Sequence, residues 1–434
     1  VGEPVNRFVS VLLGAVIAAA FLGPGTVTTA ARAGAAHGYG LLWTLAFATV
    51  ACLVLQEACA RLTIASGLNL GEALRFRYRH GVGAVVVLGL ALGAIVLGCA
   101  AYQAGNILGG VEGAALATGL SRPLLTLLCA GFAALLLGLG STRSVVAVLS
   151  ALVAIMGAAF FVTAVLLRPP IGELLSGLVV PRTPEGSTLL VLALVGTTVV
   201  PYNLFLGSGL ARGQKLPEAR FGLTVAILLG GVISMAVVVA GAAVAGTFSY
   251  PELARVLAGQ LGPWAARLFA AGLFAAGFSS AVTAPLAAAI TARSLFAESP
   301  DDPRWGDASL RYRAVWLGVL LAGTGFGLAG VRPIPAIVAA QALNGILLPV
   351  AAVFLFLVMN DRRLLGHGTV NGPLANTVMG AVVLVTLLLG VRGVLSAAAT
   401  ATGVQALAQG PAILATGAVV TVVAAGFVGR SLAS

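Results

Sequence analysis

FLGPGTVTTAA, residues 21–31, interrupts a long apolar run with Gly23, Pro24 and Gly25, at the depth where a membrane-spanning helix would be half-way across. Proline removes a backbone donor and clashes with the preceding turn, and flanking glycines let the chain leave helical geometry. Backbone groups freed in hydrocarbon are expensive, so an unwound segment persists there only where protein or solute lines it. On this stretch alone two readings stand: a proline kink that binds nothing, or a break that lines a site. A second stretch shifts the balance. LLVLALVGTTVVPYNLFLGSGL, residues 189–210, places Pro201 mid-span, after Gly196, Thr197 and Thr198 and before Tyr202 and Asn203. Pro24 and Pro201 are 177 residues apart, and each falls in the first helix of a run of five. Interrupted helices in corresponding positions of two halves point to an inverted-repeat transporter with its site near the midplane. Because five is odd, the halves have opposite orientation.

Composition sets the solvent. The chain has 434 residues, 59% hydrophobic and 9% charged, with a mean hydropathy of +1.07. Soluble domains carry about a quarter charged residues, so this is a polytopic membrane protein whose first partner is the lipid bilayer. The net charge of +11 is spread over short loops and forms no basic stripe, which argues against nucleic acid. Cys52, Cys59, Cys99 and Cys129 fall in apolar spans without metal-ligand or disulfide spacing, and read as small buried residues. The first apolar run is too long, and too like its successors, for a removable signal peptide.

A spanning helix needs about 20 apolar residues. Twelve stretches qualify: 9–35, 40–62, 83–107, 123–140, 144–167, 188–211, 219–247, 264–292, 312–331, 334–359, 374–396 and 410–429. Charge, Gly and Pro clusters mark joins at 67–81, 181–187, 211–220 and 298–307. No stretch between spans is long enough for a soluble domain, so 1–434 reads as one transporter domain. Its parts are a first repeat (9–167), a second (188–359) and two peripheral helices (374–429). If the N-terminus, the even-to-odd loops and the C-terminus share one side, that side holds 16 of the 24 Lys and Arg. The positive-inside rule then puts both termini in the cytoplasm, and the expected location is a bacterial inner membrane.

The residues around the breaks carry a resemblance. GYGLLWTLAFATVACLVLQEACARLTIASGLNLGEALR (38–75), AAGFSSAVTAPLAA (275–288) and QALNGILLPVAAVFLFLVMNDRRLLG (341–366) follow one family's pattern nearly throughout. Over roughly residues 8–366 the sequence resembles the Nramp (natural resistance-associated macrophage protein) family of divalent-metal transporters. The resemblance implies an all-α polytopic fold of the LeuT, or amino acid–polyamine–organocation, type. It has a 5+5 inverted repeat, helices 1 and 6 broken, and about twelve spans. The family pattern has Asp-Pro-Gly-Asn at the first break, where this chain reads Gly23-Pro24-Gly25-Thr26. At the second it has Met-Pro-His-Asn, with Ala three residues before the Met; here stand Thr197 and Val200-Pro201-Tyr202-Asn203. The carboxylate, amide and thioether are thus replaced by Gly23, Thr26 and Val200. Tyr102 and Gly105 stand where the family's third-span acids are expected, and Tyr202 where its histidine is.

A dehydrated dication between neutral groups is poorly compensated, and soft-metal selectivity is lost with the thioether. The expected substrate-binding residues are Gly23, Pro24, Gly25, Thr26, Thr197, Val200, Pro201, Tyr202, Asn203 and Gln341, with no metal ligand set identified. Every histidine is expected in a loop, and Glu57 is expected to be the only acid well inside a span. Glu57 is either an ion-pair partner of Arg61, four residues on, or a coupling group. Tyr102 and Asn106 serve either packing or gating. Two functions follow: a secondary transporter of a divalent cation, hard and hydrated like Mg²⁺ or Mn²⁺, or a carrier of a small polar organic solute or anion on the same scaffold. No nucleophile–base pair, nucleotide loop or cofactor motif is present, so neither an enzyme nor a cofactor is expected, and a monomer suffices.

Overall fold

A computed structural model describes residues 23–78, 81–139, 143–299, 302–402, 404–408 and 410–433. The part of the first predicted span before Gly23 lies outside the described residues, as do His80, residues 140–142 and residues 300–301. All regular structure among the described residues is helical. The helices are α1 (Pro24–His37), α2 (Leu42–Ser66), α3 (Leu70–Arg77), α4 (Gly81–Thr118), α5 (Arg122–Leu139) and α6 (Arg143–Leu166). There follow α7 (Ile171–Val179), α8 (Thr188–Thr198), α9 (Pro201–Leu210), α10 (Leu216–Ala242), α11 (Tyr250–Leu261) and α12 (Trp264–Phe296). The chain ends with α13 (Leu310–Leu328), α14 (Pro333–Met359), α15 (Arg362–Thr369), α16 (Pro373–Thr402) and α17 (Gly410–Ala433).

Nine segments among the described residues are long and apolar enough to cross a bilayer, α8 and α9 counting together as one. The ninth predicted span, α13, is not among them and carries Arg311 and Arg313 in its first turn; the twelfth is described as a shorter apolar helix, Gly410–Gly426. Bulky apolar side chains such as Val85, Leu97, Phe132, Val165, Phe221, Leu321 and Val422 lie exposed on the outside. That much exposed apolar surface is stable only against lipid.

Three expectations need correction. The third predicted span ended at residue 107, but α4 continues to Thr118. Its glycines are contact points rather than breakers: Gly109 lies against Pro24, and Gly110 and Gly113 against the α12 backbone. Small residues of this kind let helices approach closely where no hydrophobic effect drives them together. The extension places Glu112 inside a helix, buried and paired with Arg122 (Nη2–Oε2 3.1 Å), so Glu57 is not the only intrahelical acid. The histidines also differ, since His37 closes α1 and His367 belongs to α15.

The predicted join at 67–81 contains α3, nucleated by a capping box in which Asn69 and Glu72 accept each other's backbone N–H at 3.0 and 2.8 Å. Around the site, α4 runs against α12, α13 and α14, α8 lies along α14, and α1 packs on α10. Gly196 of α8 touches the α14 backbone at Gln341 and Gly345, where any β-carbon would overlap a carbonyl.

Candidate functional site

Among the described residues, the helix starts at Pro24 and Pro201 have the same local construction. Gly23 precedes α1 in extended geometry (φ −70°, ψ 171°) with Pro24 as first helical residue; Val200 (φ −80°, ψ 124°) and Pro201 do the same for α9. Proline is suited to this place because its missing N–H would be unpaired there anyway and its φ is already helical. Neither helix start has a side-chain cap. Upstream, α8 ends at Thr198, whose hydroxyl donates back to Leu194 O at 2.9 Å, and Val199 leaves helical geometry (φ −107°, ψ 78°). The second break therefore sets the negative end of α8 beside the positive end of α9.

The two breaks touch. Thr26 Oγ1 and Thr197 Oγ1 are 2.8 Å apart and buried, a direct hydrogen bond between segments 171 residues apart. On α9 and α14 stand three carboxamides whose oxygen and nitrogen both lack a protein partner: Asn203 in the first turn of α9, and Gln341 and Asn344 of α14. Gln341 and Asn344 are fully buried at 0% exposure and Asn203 is 4% exposed. Gln341 is wedged between Gly25 of α1 and Gly105 of α4, while Asn344, one turn along α14, faces Gly98 of α4. From the α2 side, Gln56 Nε2 donates to the backbone carbonyl of Asn203 at 3.1 Å.

The aromatic wall is formed by Tyr102 of α4 and Tyr202 of α9, with ring centroids 5.4 Å apart in an edge-to-face arrangement of 73°. A β-carbon at Gly23 would point at the Tyr102 hydroxyl (3.0 Å) and Ser280 Oγ (3.5 Å). Among the described residues no three His, Cys, Asp or Glu side chains come together. The groups around the breaks are thus neutral hydroxyls, carboxamides and backbone, able to bind a polar solute or an ion that keeps part of its water.

The sequence that folds this way matches one family along almost the whole chain. Residues 14–396 fit the family described as Nramp, natural resistance-associated macrophage protein-like. The chain belongs to the Nramp family. It is 31% identical over 305 residues to the divalent metal cation transporter MntH of Verminephrobacter eiseniae, covering 63% of this chain and 66% of that one. It is 32% identical over 215 residues to the metal transporter Nramp1 of rice, Oryza sativa subsp. japonica, covering 48% and 40% respectively. The chain thus spans less than two thirds of these curated relatives. In fold it resembles the manganese transporter of Eremococcus coleocola (TM-score 0.72, 18% identity, 100% and 95% coverage). The nucleobase-cation-symport transporter Mhp1 shares the architecture at a TM-score of 0.56, with 16% identity and 96% and 92% coverage.

Of the residues expected to form the site in this Nramp chain, all ten from Gly23 to Gln341 lie on the broken segments or on the stretch of α14 facing them. Val200 is buried in the break itself. Asn106 donates from Nδ2 to Gln103 Oε1 at 3.4 Å and leaves its own Oδ1 unpartnered. Glu57 is elsewhere: it accepts from Arg61 (3.1 Å) and also from Arg220 (2.7 Å). Sequence reasoning missed Gln56, Ser280 and Asn344. The spacing of Asn344, three residues after Gln341 on one helical face, was the signal that could have found it.

Proposed function

We propose that this chain is an alternating-access secondary transporter of a divalent cation, a hard ion such as Mg²⁺ or Mn²⁺ carried with part of its hydration shell. The names of the MntH and Nramp1 relatives support the cation class. The observation that carries the reading is the Gln341 carboxamide, buried and unpartnered against Gly25 beside the Thr26–Thr197 contact, with two more unpartnered carboxamides on α9 and α14. A buried polar group without a partner costs about 1–3 kcal/mol, so such atoms favour a site that takes up water and solute.

In the proposed mechanism, Asn203 and Gln341 offer their carboxamide oxygens, Thr26 and Thr197 their hydroxyls, and the unwound backbone at Val199–Val200 its carbonyls. Pro24 and Pro201 hold the breaks open, Gly23 leaves room beside the Tyr102 hydroxyl, and Gly25 leaves room for the Gln341 carboxamide. Tyr102 and Tyr202, with Asn106, gate one side. Hard cations take oxygen ligands of this kind, and Mg²⁺ in particular keeps several waters. We read residues 9–167 and 188–359 as inverted repeats and 374–429 as peripheral. Both termini are cytoplasmic in an inner membrane, the carrier acts as a monomer, and Glu57 serves ion pairing rather than coupling.

The test is reconstitution in liposomes loaded with a metal-quenched dye, with Mn²⁺ or Mg²⁺ outside and with or without a pH gradient. Saturable entry that is lost in Asn203→Ala and Gln341→Ala supports the reading. No entry of either ion into liposomes holding folded protein refutes it and leaves the organic-solute reading to be screened.

A further inference from the structure

Away from the broken helices, α2, α10 and the start of α16 enclose a cavity of about 460 Å³. Its chemistry is graded in the same direction on all three walls. On α2, Arg61 and Glu57 are at the outer end and Leu53 and Val54 lie deeper. On α10, Arg220 is outermost and Leu223 lies deeper; Asn371, just before α16, is outermost and Val378 and Met379 lie deeper. The outer residues share one end of the bundle, where α2 finishes and α10 and α16 begin. From Arg61 to Leu53 the rise along α2 is about 12 Å, close to the roughly 15 Å hydrocarbon depth of one leaflet. The rim, with Leu374 78% exposed, faces outward rather than toward the breaks.

The polar end carries excess positive charge. Glu57 is shared by two guanidiniums, with Arg61 at 3.1 Å and Arg220 at 2.7 Å, so one positive charge is uncompensated. Arg61 is used up internally, donating also to Thr369 O (2.9 Å) and Asn371 Oδ1 (2.7 Å). Arg220 gives two of its donors to Glu57 Oε1 and is half exposed at the mouth. A guanidinium has five donors in a fork that suits phosphate oxygens.

We propose that this cavity is a binding site for an anionic phospholipid, with the phosphate on Arg220 and part of one acyl chain between α2, α10 and α16. Polar groups at the interface end and apolar walls toward mid-membrane match the two ends of such a lipid. A neutral lipid fits the apolar part but leaves the excess charge unanswered. The site is independent of what the broken helices carry.

The experiment is native mass spectrometry of the full chain in detergent, titrated with phosphatidylglycerol or with phosphatidylcholine of the same tails, and separately with inorganic phosphate. One guanidinium near an anionic headgroup gives a preference of about fivefold, so the protein retains phosphatidylglycerol about fivefold better. Arg220→Gln brings the two lipids to parity, and Glu57→Gln, which adds a net positive charge, widens the preference. Ala375→Phe, which fills the cavity and leaves the charged end in place, loses both lipids. Equal retention of the two lipids by the unmutated protein would overturn the proposal. So would a preference unchanged in Glu57→Gln, a variant that keeps Arg220 and Arg61, or displacement of the lipid by inorganic phosphate alone.

Discussion

Gly25→Ala separates a ligand role for Gln341 from a packing role. A β-carbon at Gly25 would lie 2.6 Å from Gln341 Cδ and overlap its amide nitrogen, so the carboxamide must move. Overpacking of this kind costs about 1–3 kcal/mol, offset by the roughly 1 kcal/mol that alanine gains over glycine inside a helix. Gln341→Ala removes the obstacle, and in the double variant the new methyl occupies space the carboxamide has left. The pair should therefore show a coupling energy of about 1–3 kcal/mol favouring the double variant. At about 2.1 cal/mol/K per residue over 434 residues, the unfolding entropy is about 0.9 kcal/mol/K. The coupling then amounts to about 1–3 °C in apparent Tm. The assay is thermal denaturation of the four proteins in one detergent, with dye-quench uptake of Mn²⁺ on the same preparations. Uptake falls about tenfold in each single variant, the effect of losing about 1.4 kcal/mol of binding, and the double variant regains stability without regaining uptake. Additive Tm shifts would refute the contact between Gly25 and Gln341. Recovery of uptake in the double variant would show that Gln341 only fills space.

Four further outcomes follow from the same geometry. Gly23→Asp with Thr26→Asn and Val200→Met restores a carboxylate, an amide and a thioether around the breaks, and calorimetry should show Mn²⁺ binding at least tenfold tighter than in the unmutated chain; unchanged affinity in a folded triple variant refutes this placement of the site. Thr26→Val leaves the Thr197 hydroxyl without that partner and should cost about 1–3 kcal/mol, while Thr26→Val with Thr197→Val costs less than the sum of the singles by Tm. Gly196→Ala forces α8 away from the α14 backbone and should lower the Tm more than Gly25→Ala does, because a carbonyl cannot rotate aside as a side chain can. Between α12 and α13, hydrogen bonds from Arg304 hold the Asp302 carboxyl well below the usual carboxylate range. A lowered folded pKa gives stability that is full above the unfolded value, about 3.9, and is lost as pH falls toward the folded one; hydrogen exchange at the Arg304 and Trp305 amides, corrected for intrinsic rate, should quicken below that pH and be flat in Asp302→Asn.

The second break was legible as a proline in mid-span: Pro201 starts α9 just after α8 ends, and Pro24 likewise starts α1. Proline alone does not decide this, since Pro285 and Pro349 stay inside α12 and α14; the glycine and threonines before Pro201 were the further signal. Nine of the twelve apolar stretches appear among the described residues as helices able to span, but their ends were not legible. The third span was expected to end at 107, yet α4 runs on through Gly109, Gly110 and Gly113, where Pro24 and α12 press against the helix. That use depends on neighbours far away in sequence. The same applies to Glu112, whose partner Arg122 opens the next helix. Glu57 was half legible: Arg61 at four residues is visible from spacing, but Arg220 arrives only when α10 folds against α2. The short helices α3, α7 and α11 are below spanning length; α3 and α11 are marked by local caps, the Asn69–Glu72 box and Ser249. Asn344 escaped notice because its spacing from Gln341 marks only a shared helical face; its lack of a partner is seen only in the folded chain.

The Thr26–Thr197 contact bears on how a neutral site can serve alternating access. It joins the two breaks by one hydroxyl pair at 2.8 Å, where a carboxylate and its cation would bind far more strongly. A hydrogen bond between neutral groups contributes about 0.5–1.5 kcal/mol net. Breaking it therefore populates a separated state at about a tenth to a third of the molecules, other contacts being equal. A solute that bridges the two hydroxyls replaces the bond and adds its own contacts to Asn203 and Gln341, so it favours the joined state by whatever those carboxamides supply. A carrier built this way needs only modest binding energy to bias its conformations, and a hydrated ion held through neutral oxygens supplies modest energy. The neutrality of Gly23–Thr26 and Thr197–Asn203 then fits the proposed transport, provided that the ion arrives and leaves with most of its water.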